Sequence, residues 1–409
     1  MIFALAWRNI WRQPTRTALS VLGMAFASML LVFMLSFQFG SYDTMKSSML
    51  KISEGYGLFQ APGYKDDPEI ATRIMDPGAL LADLKSVAAV THATERSRGF
   101  VLLANGETSF AAAVMGIDPV HEPEVTTITT LVPEGRALRA GDDAVIVIGA
   151  GLARNLGLGL GDKVTLLGTA ADDGVAADVL EVVGIFRTGV AEIDRQVAQM
   201  PLARFGDTFM MQGGVNEIAV TGDFYAVTQS TGALRDIAAR HGLVYLDWGA
   251  IRPELKSAIQ LDMTIAMILY TTLVVVVVFI ILNTLYMSVL ERTREFGMLL
   301  ALGMKPGQIG RLVWIEMIVL ALMGTGTGLL LGMALTGWFE MVGIGFEGME
   351  DIYKQWGLPA RLYPDMTPFR VLFGPGAIAL SVILLGVIPY RRTQSLEPVS
   401  AMAGLGAGK

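Results

Sequence analysis

The chain has 409 residues, 53% of them hydrophobic and 17% charged, with 31 Lys and Arg against 38 Asp and Glu for a formal net charge of -7. Such an apolar chain is not an ordinary soluble protein, and its acidic balance excludes a nucleic-acid binder, which needs a concentrated basic surface. The absence of cysteine excludes disulfide scaffolds, thiolate metal sites and cysteine nucleophiles.

In residues 1–16, Phe3, Trp7, Ile10 and Trp11 fall on one helical face and Arg8, Asn9 and Arg12 on the other, which predicts a cytoplasmic helix lying along the inner leaflet. Residues 17–39 form an apolar run that exceeds the roughly 20 residues needed to cross a bilayer. This run is too long for a signal peptide and lacks a small-residue cleavage site, so it is expected to remain as the first transmembrane helix. It carries Phe26, Met29, Phe33 and Phe37 on one face.

Residues 40–262 are long enough to form an extracytoplasmic domain that is translocated whatever its charge. A helix is expected over 80–87. Strands over 100–104 and 108–115 flank Asn105 and Gly106, a type I′ hairpin signal. A strand over 144–148, a helix over 152–156 and the turn at Gly157, Gly159, Gly161 and Asp162 lead to strands over 163–167 and 179–186. The acidic, alanine-rich stretch 169–178 reads as an exposed hairpin tip. A strand over 215–221, a helix over 231–240 and a strand over 243–246 finish the domain, giving two small α+β lobes, one inserted into the other. His92, His121 and His241 form no H-E-x-x-H array and read as solvated loop or helix-end residues, so no metal site is expected.

Second, third and fourth transmembrane helices are expected over 263–287, 312–338 and 369–390, separated by a cytoplasmic segment (288–311) and an outer loop (339–368), with a cytoplasmic tail over 391–409. The second carries Met263, Met267 and Tyr270, flexible or aromatic side chains which, with the face of the first span, are candidates for contact with an amphiphilic cargo. In the third, Gly324, Gly328 and Gly332 repeat at small-xxx-small spacing, a helix-packing seam within one chain or between two. Glu316 lies near its inner end, where its carboxylate can snorkel or find a basic partner. The outer loop is acidic, with Glu340, Glu347, Glu350, Asp351 and Asp365. Its Gly343, Gly345 and Gly348 match dinucleotide-fingerprint spacing by chance, since no βαβ unit surrounds them. Gly374, Pro375 and Gly376 either kink the last span or begin it. Four spans put both termini on one side, and the flanks there carry Arg8, Arg12, Arg16, Arg292, Arg294, Lys305, Arg311, Arg391 and Arg392, so that side is expected to be cytoplasmic. The fold class is therefore a multi-pass α-helical membrane protein with four transmembrane helices, one plus three, and a large extracytoplasmic α+β domain.

No G-x-x-x-x-G-K-[ST] loop and no G-x-S-x-G elbow is present, so neither nucleotide phosphates nor an acyl-enzyme has an obvious home here. The inner segment reads S-V-L-E-R-T-R-E-F-G-M-L-L-A-L-G-M-K-P-G-Q-I. Glu291, Arg292, Arg294 and Glu295 give it a charged face, Phe296, Leu299, Leu300 and Leu302 an apolar inward one, and Gly297 and Gly303 punctuate it. This stretch resembles the coupling segment of the MacB, LolC/LolE and FtsX type of ABC transporter permease. The opening L-A-W-R-N-I-W-R-Q-P-T-R-T-A-L-S resembles that family's basic pre-span helix. The ending I-P-Y-R-R-T-Q-S-L-E-P-V-S-A-M resembles its tail, with Pro389, Arg391, Arg392, Pro398 and Ala401 in the matching places.

The resemblance implies a non-catalytic permease in the bacterial inner membrane, both termini cytoplasmic and the large domain periplasmic, without an ATPase domain. It implies a homo- or heterodimer on a cytoplasmic ABC ATPase dimer that binds the ATP and magnesium, and allows a periplasmic chaperone or adaptor. Glu291, Arg292, Arg294, Glu295, Gly297, Leu302 and Gly303 would couple to the ATPase. ATP-driven closure would move the spans and reshape a porter-like lobe and an inserted β-rich lobe, releasing a lipoprotein, lipid or other amphiphile. The alternatives are a signalling permease that activates an outer hydrolase or regulates cell-envelope processes, and a small-molecule efflux permease.

Overall fold

A computed structural model describes residues 2–345 and 359–394, together with Gly348 and Tyr353. Glu347, Glu350 and Asp351 of the outer loop, and Pro398 and Ala401 of the tail, lie outside the described residues. The chain divides into a membrane unit, Met1–Tyr42, Ile259–Gly345 and Arg361–Lys409, and an outer unit, Asp43–Ala258 with Phe346–Ala360.

Among the described residues four helices are long and apolar enough to cross a membrane: Pro14–Ser53, Pro253–Glu291, Pro306–Val342 and Pro368–Leu385. Each starts on a proline, whose fixed φ suits a first turn and whose missing N–H would have had no partner there. Thr367 caps the fourth helix through its side chain, so Pro375 lies inside that helix and does not begin it. The first three are 40, 39 and 37 residues long, well beyond the apolar runs in the sequence, because their polar ends keep helical backbone geometry after hydropathy has fallen. The fourth ends at Leu385, earlier than expected. Gly386 stands between it and a second helix, Val387–Gln394, and keeps right-handed helical geometry at φ -59°, with its N–H on the Val382 carbonyl at 2.9 Å.

The glycine seam lies within the chain. A Cβ on Gly324 would fall 2.6 Å from Met24 Cβ, one on Gly328 2.4 Å from the Ala25 carbonyl oxygen, and one on Gly332 2.8 Å from Val32 Cβ. The third-span helix therefore rides directly on the first, as small residues allow in lipid. Gly374 does the same from the fourth helix, where a Cβ would meet Leu31 at 2.6 Å.

In the outer unit ten strands form one sheet: β1 (Gly57–Gln60), β2 (Val90–Asn105), β3 (Thr108–Ile117), β4 (Glu134–Gly135), β5 (Val145–Gly149), β6 (Lys163–Thr169), β7 (Val175–Phe186), β8 (Val197–Pro201), β9 (Glu217–Gly222) and β10 (Val244–Leu246). Strand β2 joins the two halves. Its start pairs with β9, its remainder with β3, and its end with β6. One core gathers Phe59, Leu80, Ile218 and Leu234 around β1, β2 and β9, and another gathers Leu103, Ile148, Leu166 and Phe205 around the later strands.

The β2–β3 hairpin forms where the sequence puts it, but its turn differs. Asn105 pairs with Thr108, so Gly106 and Glu107 are the loop residues, and of these only Gly106 has positive φ, at 59°. A type I′ turn needs positive φ at both. The stretch 169–178 does hold a hairpin tip, the turn 170–174 between β6 and β7, where Thr169 pairs with Val175 and residues 172–174 are exposed, but its second half is strand. Val175–Asp178 belong to β7, Ala170 and Ala176 are core, and Asp178 is buried against Arg204 (2.7 Å) and Thr208 (2.8 Å). Alternation along β7 sends these small side chains inward and leaves Val175 and Val179 outside. His121 and His241 stand at helix ends, but His92 lies in β2 and meets Glu124 at 2.6 Å.

Candidate functional site

In the membrane unit, the second-span helix stops at Arg292 and a separate helix, Thr293–Ala301, begins. Gly303, with φ +95°, closes it through a bond from its N–H to the Leu300 carbonyl at 3.0 Å. Phe296 is buried in a small core with Val289, Ile309 and Val313, and Leu299 and Leu300 pack partly against it. Leu302 departs from the expected inward face. It is the C-cap, past the last full turn, and is 84% exposed.

The charges of this segment also depart from a simple outward face. Arg292 turns inward, to Glu316 at 3.0 Å and over the Phe296 ring at 5.1 Å. Asn9 of the N-terminal helix Ile2–Ile10 donates to the same Glu316 at 2.7 Å. Arg12 makes two 3.1 Å bonds to Glu295, and Arg16 donates to Glu291 at 2.7 Å and to the Thr284 carbonyl. Arg294 alone of the four charged residues faces solvent without an ion pair among the described residues. Asn9, Arg12, Arg16, Arg292, Glu295 and Glu316 line a cleft of about 170 Å³ that also takes in Gln13, Ser20 and Ser288.

The pairs differ in strength. Arg12–Glu295 and Arg16–Glu291 each have an exposed member and belong to the class that contributes about 0–1 kcal/mol. Arg292 and Glu316 are only 15% and 12% exposed, so this pair anchors the network while the outer pairs exchange cheaply. The arrangement ties the N-terminal helix, three long helices and the 293–301 helix into one polar joint.

A second charged cluster lies in the outer unit, and no sequence motif marks it. Arg96 on β2 is fully buried, donating to both Glu122 oxygens (2.6 and 2.8 Å) and to the carbonyls of Ser53 (3.1 Å) and Glu54 (2.8 Å). Arg98 donates to Glu54 at 3.2 Å and Glu217 at 3.4 Å, and Arg252 to Glu54 at 3.3 Å. Burial pushes the Glu54 carboxyl up, but the guanidinium groups of Arg98, Arg252 and Arg96 outweigh it and hold it below the usual range. Six charged residues spread over 54–252 converge here. The one sequence signal was Arg96 at an inward position of a long strand, legible only once the pairing is known.

A family model described as MacB-like periplasmic core domain matches residues 17–237, more than half of the chain, and one described as FtsX-like permease C-terminal matches residues 267–398. The chain belongs to this permease family. Among its relatives, the lipoprotein-releasing system transmembrane protein LolC of Neisseria meningitidis serogroup B is 24% identical, covering 94% of this chain and 93% of its own. LolC of Xylella fastidiosa is 25% identical over 73% of this chain and 75% of its own. The macrolide export ATP-binding/permease protein MacB of Hyphomonas neptunium is 23% identical over 98% of this chain, which spans 60% of that relative.

In the permease the residues expected to face cargo are distributed unevenly. Phe26 is 61% exposed on the first-span helix, and Met29 is partly exposed. Phe33 stacks on Phe37 with centroids 6.0 Å apart and meets Phe339 of the third-span helix at 5.5 Å. Met263 is half-buried. Met267 and Tyr270 pack into the permease's own bundle core, with the Tyr270 hydroxyl donating to Gln38. The two stripes therefore do not face one another within the chain.

Proposed function

We propose that the permease converts ATP hydrolysis by a separate cytoplasmic ATPase into movement of its outer domain, and that this movement releases a lipoprotein, lipid or other amphiphile from the periplasmic side of the inner membrane. The observation that carries this reading is the two-sided 293–301 helix. Phe296 and Arg292 lock one side into the bundle, while Met298, Leu302 and Arg294 stand outward. A rigid helix with exposed apolar side chains beside a charge suits a docking surface. LolC and MacB among its relatives are named for lipoprotein release and for ATP-binding export, which supports an ATPase partner and a cargo of amphiphilic character. ATP and magnesium would be held by that ATPase. A second permease chain completes the assembly in this reading, supported by the second-span helix, whose most apolar window is 22% buried against 39% for the first and third.

Leu302→Asp tests the docking surface. Because the side chain packs on nothing internally, insertion and thermal stability should be unchanged, while co-purification of the ATPase should fall about ten-fold, as for an interface anchor. Unchanged recovery and unchanged ATP hydrolysis would reduce the 293–301 helix to a connector. Orientation is tested by single cysteines in this cysteine-free chain. Asp172→Cys should react with a membrane-impermeant maleimide in spheroplasts and Lys305→Cys only after lysis, and the reverse pattern would invert the topology.

A further inference from the structure

The first-span helix ends at Ser53 and the second-span helix begins at Pro253, and the residue beside each end meets the other on a single carboxylate. Glu54 Oε2 accepts from Arg98 of β2, and Glu54 Oε1 accepts from Arg252. The charged cluster therefore has two unequal halves. Arg96 and Glu122 are wholly sealed and share two bonds, and Arg96 also grips two carbonyls at the end of the first-span helix. Arg252 has one side-chain bond, at 3.3 Å, with its side chain 30% exposed beside a cleft of about 220 Å³.

We propose that the Glu54–Arg252 contact is a latch that opens and re-forms in each transport cycle, while Arg96–Glu122 stays closed and fixes the first-span helix to the sheet. This rests on the reading of the chain as a permease driven by an ATPase. Opening strands no charge, because Glu54 keeps Arg98 on its other oxygen and Arg252 moves towards the cleft. Breaking Arg96–Glu122 would instead separate two sealed opposite charges and leave Glu122 with only the Thr126 hydroxyl. Any change in spacing between the two helix ends thus falls on the weaker contact. The linkage on the Arg252 side permits such a change. Strand β10 pairs with β1 up to Leu246, and only the one-turn helix Trp248–Ile251, capped by the Asp247 side chain, stands between that strand and Arg252. Glu54 and Arg252 are positioning residues, setting how far apart the two helices enter the outer domain.

Spin labels at Lys51→Cys and Glu254→Cys, exposed positions next to the latch and outside it, report that spacing in the permease–ATPase complex in nanodiscs. With a non-hydrolysable ATP analogue the inter-label distance should shift from its nucleotide-free value. Arg252→Gln should show at least about a three-fold larger share of the shifted distance without nucleotide, and Arg252→Lys should restore the parent distribution. Identical distributions in both nucleotide states of a complex that hydrolyses ATP would overturn the latch and leave the permease reading intact. No effect of Arg252→Gln would overturn it too. If no ATPase associates, the permease reading fails, and the Arg252→Gln comparison in the isolated chain still decides whether the contact sets the spacing.

Discussion

Arg96→Met is expected to destabilise the outer domain by about 3–5 kcal/mol, the cost of breaking a buried ion pair from one side. The guanidinium is fully buried and neutralises Glu122, which would keep only the Thr126 hydroxyl, while the carbonyls of Ser53 and Glu54 would lose their donor. Arg96→Met combined with Glu122→Leu should recover most of the loss, because no charge is then stranded and the two side chains couple directly. The measurement is the urea midpoint for proteolysis of the outer domain in membrane vesicles. A single-variant loss below about 1 kcal/mol would mean that water reaches Glu122 and that the pair behaves as a surface one.

The membrane architecture was legible because its signals are local. Apolar runs and prolines each act within one helix, so the four long apolar helices and the helix 231–240 could be read directly from the chain. Helix ends were less legible. The backbone continues past the apolar run until a specific residue stops it, as Gly55 does at φ +89° after the first-span helix. In the stretch 169–178 composition located the hairpin tip, 170–174, but not the strand that follows it. Alanines beside aspartates look solvated, yet period-2 alternation turns Ala176 and Asp178 inward, where Arg204 neutralises the acid.

The inner segment was half legible. Its amphipathic pattern located the 293–301 helix and the buried Phe296, but not the partners of its charges, because Asn9, Arg12, Arg16 and Glu316 come from distant parts of the chain. Three of the four residues on the expected charged face, Glu291, Arg292 and Glu295, pair with other parts of the chain. What remains open to a partner is apolar Leu302 and Met298 with Arg294. A charge reversal at Glu295 would therefore disturb the bundle as well as a docking surface, so Leu302 is the cleaner position to test.

Gly328→Leu is expected to remove the folded membrane unit, whereas Gly326→Leu, two residues along the same helix, should be tolerated. At Gly328 a Cβ alone would sit 2.4 Å from the Ala25 carbonyl oxygen and 2.6 Å from Ser28 Cβ, whereas at Gly326 nothing lies within 4 Å. The obstruction at 328 is partly backbone, so no side-chain rotation relieves it and the first-span and third-span helices must separate. That adds lost contact along Met24–Gly324 and Val32–Gly332 to the usual overpacking cost of about 1–3 kcal/mol. In lipid, where close packing rather than water exclusion holds helices together, little else compensates. The readout is the yield of monodisperse protein after detergent extraction, with its thermal midpoint, for both variants. Because the seam joins two helices of one chain, the loss at 328 should not depend on protein concentration. A loss that appears only on dilution would place the seam between chains, and equal tolerance at 326 and 328 would show that the helices do not approach this closely.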